Sequence, residues 1–307
     1  LCPSETPEGQ NCGLVKNLAL TVDVSEGCDE NDVKKLLVHF KVKPIKGAAT
    51  GGCRVYVNGD LVGLHDNPEK LVSEIREKRR TGKISHEVNI RYDENMNELI
   101  INCDEGRVRR PLVVVENGRL KLTKKHLEEL KKGKISWNTI IKEGIVEYVD
   151  AEEEENALIA IDEGSITKRH THMEVDPITI LGVCAGLIPY PEHNSSPRNT
   201  MGAGMAKQSL GLSCANYRTR PDTRSHLLHY PQMPLVQTKH MDFVDFARRC
   251  GGQNFVVAVI SYQGYNMEDA LVMSKGCVER GLGRSTFFRT YTAEERRYPG
   301  GQQEKFG

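Results

Sequence analysis

Turn dipeptides and helix caps cut residues 21–150 into short pieces, which limits this stretch to brief helices and strands in a mixed architecture. Asn58-Gly59 separates two apolar runs, 54–57 and 61–64. Asn-Gly supplies the positive φ that a tight hairpin turn requires, so the two runs read as a hairpin. Asn67-Pro68 opens a stretch with Leu71, Ile75 and Arg79 at helical spacing, and Gly82 closes it, which amounts to cap, first-turn proline and terminal glycine. Residues 31–41 place Val33, Leu36, Leu37 and Phe40 on one helical face. Strands are expected at 88–92, 98–103 and 111–116, the last running into a second turn at Asn117-Gly118. A short helix over 124–132 and a segment around 137–148 complete an α+β module. Its charges are mixed and it offers no His/Ser/Asp constellation, so a surface scaffold is expected.

The 307 residues leave room for two or three such modules. Hydrophobic residues make up 38% and charged residues 27%, which suits globular structure rather than disorder. No apolar run approaches the roughly 18 residues of a membrane-spanning helix, and no membrane partner is expected. The nine cysteines (2, 12, 28, 53, 103, 184, 214, 250 and 277) form no CxxC pair and no Cys/His cluster. All are expected to be reduced and structural, with no zinc site. The chain opens at Leu1 without signal-peptide features and closes on a polar stretch, 304–307. An internal piece of a longer polypeptide, or a trimmed or split subunit, is expected.

Forty-two basic and 42 acidic side chains cancel overall, yet residues 168–307 hold 17 basic against 12 acidic ones. Within them, residues 194–240 carry Arg198, Lys207, Arg218, Arg220, Arg224 and Lys239 against Asp222 alone. Such a stripe faces phosphates, or else is a solvated face balanced by acids elsewhere. The acidic run 152–155 follows Glu147 and Asp150, but consecutive helical residues point in different directions and cannot converge on one ion. A solvated or ion-paired helix start is expected there. The remainder is dense in Gly, Pro, Met and Asn. The apolar run 178–189 is a candidate buried strand or helix, and Pro197 stands just before a helix expected to contain 201–210.

Three features could act on phosphates. Arg198, near that helix start, adds a planar fork to the donors and partial charge of a helix N-terminus. Lys207 and Gln208 follow about two and a half turns on, as a point charge and an amide suited to a phosphate, ribose or base. Glu268 and Asp269, in a polar turn, could hold or orient Mg²⁺ through oxygen or water. Each alone is a weak signal, since a surface arginine and a solvated acid pair are common.

Together with three further signatures they resemble one family. Those signatures are the opening Cys2-Pro-Ser-Glu-Thr-Pro-Glu-Gly-Gln-Asn-Cys-Gly-Leu-Val, the run from Glu147 through Glu155, and Ile188-Pro-Tyr-Pro-Glu-His-Asn-Ser-Ser-Pro-Arg-Asn-Thr. With Met205-Ala-Lys-Gln-Ser-Leu-Gly, His229-Tyr-Pro-Gln-Met-Pro-Leu and Gly264-Tyr-Asn-Met-Glu-Asp-Ala, they stand in the order seen in the second-largest (β-type) subunit of multisubunit DNA-directed RNA polymerase. The motifs look like the archaeal and eukaryotic branch, and the compact 21–150 module favours archaeal.

The resemblance implies a mixed α+β, multi-domain fragment. Residues 1–20 would be the end of the fork region, 21–150 a β-rich external domain, 151–290 an irregular hybrid-binding and active-centre region, and 291–307 the start of the wall (flap) domain. Arg198 would contact the triphosphate of the incoming NTP, and Lys207 and Gln208 the RNA 3′ end or its backbone. Glu5, Gly9, Asn11, Asn194, Ser195, Asn199, Arg218 and Arg220 would face the RNA–DNA hybrid. Glu268 and Asp269 would lie near the second, NTP-borne Mg²⁺, through water. The implied partners are the largest subunit, which carries the aspartates of the tightly held Mg²⁺, together with assembly subunits, DNA template, nascent RNA and NTPs. The implied setting is the cytoplasm, or the nucleus for a eukaryotic source. Cys12 stands where bacterial relatives carry isoleucine in a rifamycin pocket, and Met201 and Ser195 where eukaryotic relatives often carry tyrosine and glutamine. The alternatives are an assembly fragment with passive nucleic-acid contacts and a stand-alone Mg²⁺-dependent phosphohydrolase.

Overall fold

The computed structural model describes residues 1–45, 51–208 and 216–307. Among the nine cysteines, Cys214 lies outside these residues, and Cys2, Cys12, Cys28, Cys53, Cys103, Cys184 and Cys277 are free thiols. The chain divides into two compact units, one running from Leu18 to Leu181 and the other combining Cys2–Asn17 with Gly182–Gly307. No helix among the described residues is long and apolar enough to cross a membrane.

The first unit begins with β1 (Asp23–Val24), α1 (Glu30–His39), β2 (Cys53–Val57), β3 (Asp60–His65) and α2 (Pro68–Arg80). It continues with β4 (Asn89–Asp93), β5 (Glu98–Asn102), β6 (Val108–Glu116), β7 (Arg119–Leu120), α3 (Lys124–Lys131) and α4 (Trp137–Lys142). β8 (Val146–Asp150), α5 (Ala151–Glu154), β9 (Ile159–Ala160) and β10 (His172–Glu174) complete it.

Both early helices start where their caps predict. Asp29 accepts from the Asn31 N–H at 2.9 Å, and Asn67 from the Lys70 N–H at 3.1 Å, each satisfying a donor the first turn leaves open. The β2–β3 turn takes positive φ at Asn58 and Gly59, as a hairpin built on Asn-Gly must. Strand order in the first sheet is β3-β2-β5-β4, with β2 and β5 parallel and the outer pairs antiparallel. Alternation sends Cys53, Val55, Val57, Leu99 and Ile101 inward, where they pack with Val33, Leu37, Leu71 and Ile75 from the two helices. β3 also approaches the backbone at Lys43, and a Cβ on Gly63 would run into the Lys43 carbonyl.

The second sheet is built on β6, the longest strand, which pairs with β1, β7, β8 and β10; β9 adds to β10. Within its buried run Leu112–Val115, Val113 packs with Ile140, Ile145 and Val146. The acidic run after β8 is ion-paired. Glu153, 1% exposed, receives Arg79 Nη1 at 2.6 Å and Arg76 Nε at 3.1 Å, while Glu147 receives Arg79 Nη2 at 2.8 Å and Arg80 Nη2 at 2.7 Å. His172 Nε2 reaches the other face of Glu147 at 2.7 Å. Glu154 pairs with Arg110 and Glu155 with Arg91. Burial would push Glu147 and Glu153 up, but the surrounding arginines outweigh it and hold both carboxyls below the usual range, Glu147 well below. The buried guanidinium of Arg79, which desolvation would lower, is instead held more firmly protonated by Glu153 and Glu147. Arg109, fully buried, pairs with Glu87 and Asp23 and lies over the Tyr148 ring.

The second unit holds α6 (Ser196–Met205), β11 (Arg224–Leu228), α7 (Lys239–Phe243), α8 (Lys275–Glu279) and β12 (Ser285–Arg289), with β11 and β12 antiparallel. Two sequence expectations change here. The apolar run 178–189 is neither a strand nor an α-helix but two short 3₁₀ turns, Pro177–Ile180 in the first unit and Ala185–Leu187 in the second, with Ile180 and Val183 exposed. The helix expected to contain 201–210 is α6, which ends at Met205; residues 206–208 form a turn, and Ser209 and Leu210 lie outside the described residues. Gly202 and Gly204 in its last turn lower helix propensity by about 1 kcal/mol each relative to alanine, which favours the early stop.

Candidate nucleic-acid interface

Arg198 sits in the first turn of α6, with Ser195 at the N-cap and Pro197 just inside the helix. Pro197 is preorganised for that place and has no N–H to leave unsatisfied. The loop leading in is held by Asn199, a buried side chain that donates to the Pro191 carbonyl at 2.7 Å and accepts from Asn194 at 3.2 Å. Asn199 is therefore turned inward, while Asn194 and Ser195 are exposed beside Arg198. The Arg198 guanidinium is exposed and meets Met201 Sδ at 3.5 Å. A cationic fork at a helix start, with no acidic partner among the described residues, is arranged to meet an anion from outside.

Lys207 and Gln208 do not continue along that helix face. They occupy the turn beyond it, both exposed. The Lys207 ammonium donates to Glu5 Oε1 at 2.9 Å and to Asn17 Oδ1 at 3.0 Å. Glu5 is buried, so its carboxylate faces the lysine rather than solvent; Gly9 and Asn11 of the same segment are exposed. Thr6 closes the segment by accepting from the Gly13 N–H at 2.8 Å.

Close to Glu5, His240 is fully buried, with both ring nitrogens lacking a hydrogen-bond partner and Gly186 against its face. Burial pushes its pKa down, against an upward pull from Glu5. Burial, and then Glu5, push the Cys184 thiol up.

Arg218 lies over the Tyr217 ring at 5.7 Å, and Tyr217 in turn meets Phe288 of β12. Arg220 donates to Asp222 at 2.7 Å, so that part of the basic stripe is internally paired.

Glu268 and Asp269 are both exposed, in a turn where both take positive φ, 52° and 65°. Non-glycine residues held there cost on the order of 1–3 kcal/mol each. The turn is pinned by Asn266, whose side chain accepts from the Tyr262 N–H at 2.9 Å and donates to the Ile260 carbonyl at 2.6 Å. Hard carboxylate oxygens suit Mg²⁺, but among the described residues no three His, Cys, Asp or Glu side chains converge as a cage. Two exposed carboxylates fit an ion that brings most of its own oxygen ligands, such as one carried on a triphosphate.

The structure thus brings Glu5 and Lys207 together and joins Asn194 to Asn199. Among the described residues no hydrogen bond or ion pair links Glu268 or Asp269 to Arg198 or Lys207. Asn17 and His240 were not singled out from the sequence. Asn17 stands 190 positions from Lys207, and nothing local in the sequence announces either contact.

The chain matches four family models in consecutive order: RNA polymerase Rpb2 domain 3 over residues 1–24, domain 4 over 55–116, domain 5 over 137–177 and domain 6 over 184–307. It is 49% identical to DNA-directed RNA polymerase subunit Rpo2 of Saccharolobus shibatae over 99% of its length. It is 42% identical to DNA-directed RNA polymerase III subunit RPC2 of Schizosaccharomyces pombe, and 38% to DNA-directed RNA polymerase II subunit 2 of Arabidopsis thaliana, over its full length in each case. It spans about 28% of the Saccharolobus relative and 27% of the other two. With the domain models in order and this identity sustained from end to end, the chain belongs to the family of second-largest, β-type subunits of DNA-directed RNA polymerase.

Proposed function

We propose that this chain supplies part of the active-centre wall of a DNA-templated RNA polymerase, contacting the incoming NTP and the RNA–DNA hybrid while other subunits complete the site. The observation that carries the reading is Arg198: exposed, in the first turn of α6, without an acidic partner among the described residues, beside the buried Asn199 that ties the helix start to the preceding loop. In this reading the Arg198 fork binds triphosphate oxygens and stabilises charge that grows as pyrophosphate leaves. Lys207 and Gln208 meet the RNA 3′ end, and Asn194, Ser195 and Arg218 flank the hybrid. Glu268 and Asp269 would hold an NTP-borne Mg²⁺ through water. When bound, that ion neutralises triphosphate charge and polarises the reacting phosphorus. The largest subunit and the assembly subunits are the expected partners, with DNA, RNA and NTPs as ligands.

The test is Arg198→Ala in the assembled polymerase carrying the full-length subunit. Loss of one such preorganised contact is expected to cost about 10²–10³ in kcat/KM for NTP, near 3–4 kcal/mol. Unchanged kcat and KM would mean that Arg198 makes no contact with the triphosphate and would favour a passive, assembly-only fragment.

A further inference from the structure

We infer that Glu5 is a positioning residue for Lys207, fixing its ammonium so that one N–H is presented to the RNA end. This rests on the reading of Lys207 given above. An ammonium has three donors. Two are taken within the chain, by Glu5 Oε1 at 2.9 Å and Asn17 Oδ1 at 3.0 Å. The third is left for the exposed side, because the lysine side chain is 44% accessible while that of Glu5 is 2%.

The two acceptors are themselves fixed. Asn17 donates its Nδ2 to the Glu5 carbonyl at 3.2 Å, and its own carbonyl accepts from the Cys2 N–H at 2.9 Å. Glu5, Asn17 and the Cys2 backbone thus form a rigid cradle on one segment. Lys207 enters it from a turn that follows α6 and would otherwise leave a four-carbon side chain free to swing.

A carboxylate buried to this extent is unfavourable unless it is paired, and an apolar residue would fill the same space with less penalty. Retaining a charge there selects one location for the lysine head. It also cancels much of the lysine's charge, so the cradle supplies geometry rather than added attraction for phosphate. A long basic side chain with a free head would instead bind RNA with less regard to the position of the 3′ end.

The experiment uses the assembled polymerase with substitutions in its full-length subunit and follows single-nucleotide extension of a primer RNA on a DNA template. Glu5→Ala is expected to lower the maximal extension rate by about 10–100-fold, up to the scale of an ångström-sized misplacement, while KM for NTP stays within about twofold. Glu5→Gln keeps an oxygen acceptor and should recover most of the rate. Lys207→Ala should lower the rate at least as far, and adding Glu5→Ala to it should cost nothing more. A further loss in the double variant would overturn the inference, because Glu5 would then act independently of Lys207. Full activity of Glu5→Ala would also overturn it. Should Glu5→Ala fail to assemble, the comparison of Glu5→Gln with Glu5→Gln/Lys207→Ala decides by the same non-additivity. If Lys207→Ala alone leaves extension unchanged while Arg198→Ala abolishes it, the Lys207 role falls and this inference with it, though the polymerase-site reading stands. If both leave it unchanged, that reading fails as well.

Discussion

Replacing Arg79 with methionine tests whether the first unit is held by a buried ion cluster rather than by its apolar core alone. The Arg79 guanidinium makes four hydrogen bonds: Nη1 to the Val88 carbonyl at 2.8 Å and to Glu153 at 2.6 Å, and Nη2 to Glu147 at 2.8 Å and to Glu153 at 2.9 Å. At an effective dielectric near 20 and about 4 Å between charge centres, each carboxylate contributes about 4 kcal/mol gross, most of which offsets the desolvation of three ions. Taking away one partner leaves that desolvation uncompensated, at about 3–5 kcal/mol. Arg76, Arg80 and His172 still touch the two carboxylates, which points to the lower part of that range. For a unit of this size, about 3–4 kcal/mol corresponds to a fall in Tm of roughly 6–16 °C. Trp137 is the only tryptophan and lies in α4, with its indole 3.1 Å from the Tyr148 hydroxyl, so its fluorescence reports the first unit. Adding Glu153→Gln to Arg79→Met should return part of the loss, because the orphaned charge is then gone. A fall of less than about 3 °C for Arg79→Met, near 1 kcal/mol, would refute the reasoning, since the carboxylates would then be satisfied without their central cation.

Two further outcomes follow from the same chemistry. Glu147 and Glu153 are held below their ordinary value of 4.5 in the folded chain, so their contribution is fully present above that pH and is lost as pH falls through the depressed values. Trp137 fluorescence should therefore show a stable first unit down to about pH 4.5 and steep loss below it, and Glu147→Gln should flatten that loss; equal acid sensitivity in the variant would count against the assignment. Burial pushes the thiols of Cys28 and Cys53 up to about 11, so iodoacetamide at pH 8 should modify the exposed Cys12 and Cys277 well before either, as peptide mass mapping would show; early labelling of Cys53 would contradict its burial.

Much of the first unit was legible because its signals are local. The 31–41 periodicity became Glu30–His39, the Asn67-Pro68 start became Pro68–Arg80, and the Asn58-Gly59 hairpin formed where the turn chemistry required. Even Arg79 stood on the apolar face of its helix in the sequence pattern. Its partners were not legible, because Glu147 and Glu153 lie 68 and 74 positions away and only the packing of α2 against β8 and α5 brings them together. The same limit applies in the second unit. Pro197 announced the helix that carries Arg198, but its end depended on the weak propensity of Gly202 and Gly204, and the turn beyond it delivered Lys207 to Glu5. The run 178–189 misled because apolar continuity carries no period, and Pro177 and Pro189 bracket a path that only short 3₁₀ turns could follow.

The two units hold their backbones in different ways. In the first, arginines meet carboxylates of the same chain, and even fully buried Arg109 finds Glu87. That arrangement consumes charge and yields rigidity. In the second, several turns are instead fixed by asparagine side chains. Asn199 is bonded to Pro191, Asn266 to Tyr262 and Ile260, and Asn254 to the Met233 carbonyl and the Leu235 N–H. Each such bond is worth about 1 kcal/mol net and fixes a turn without a large core or an opposite charge nearby. Under the proposed function such turns suit a surface that meets phosphates, because a carboxylate placed to steady an arginine would also repel the ligand. Arg220 is paired with Asp222, whereas Glu5 is buried behind its lysine, where in the proposed reading it orients the ammonium without facing the anion.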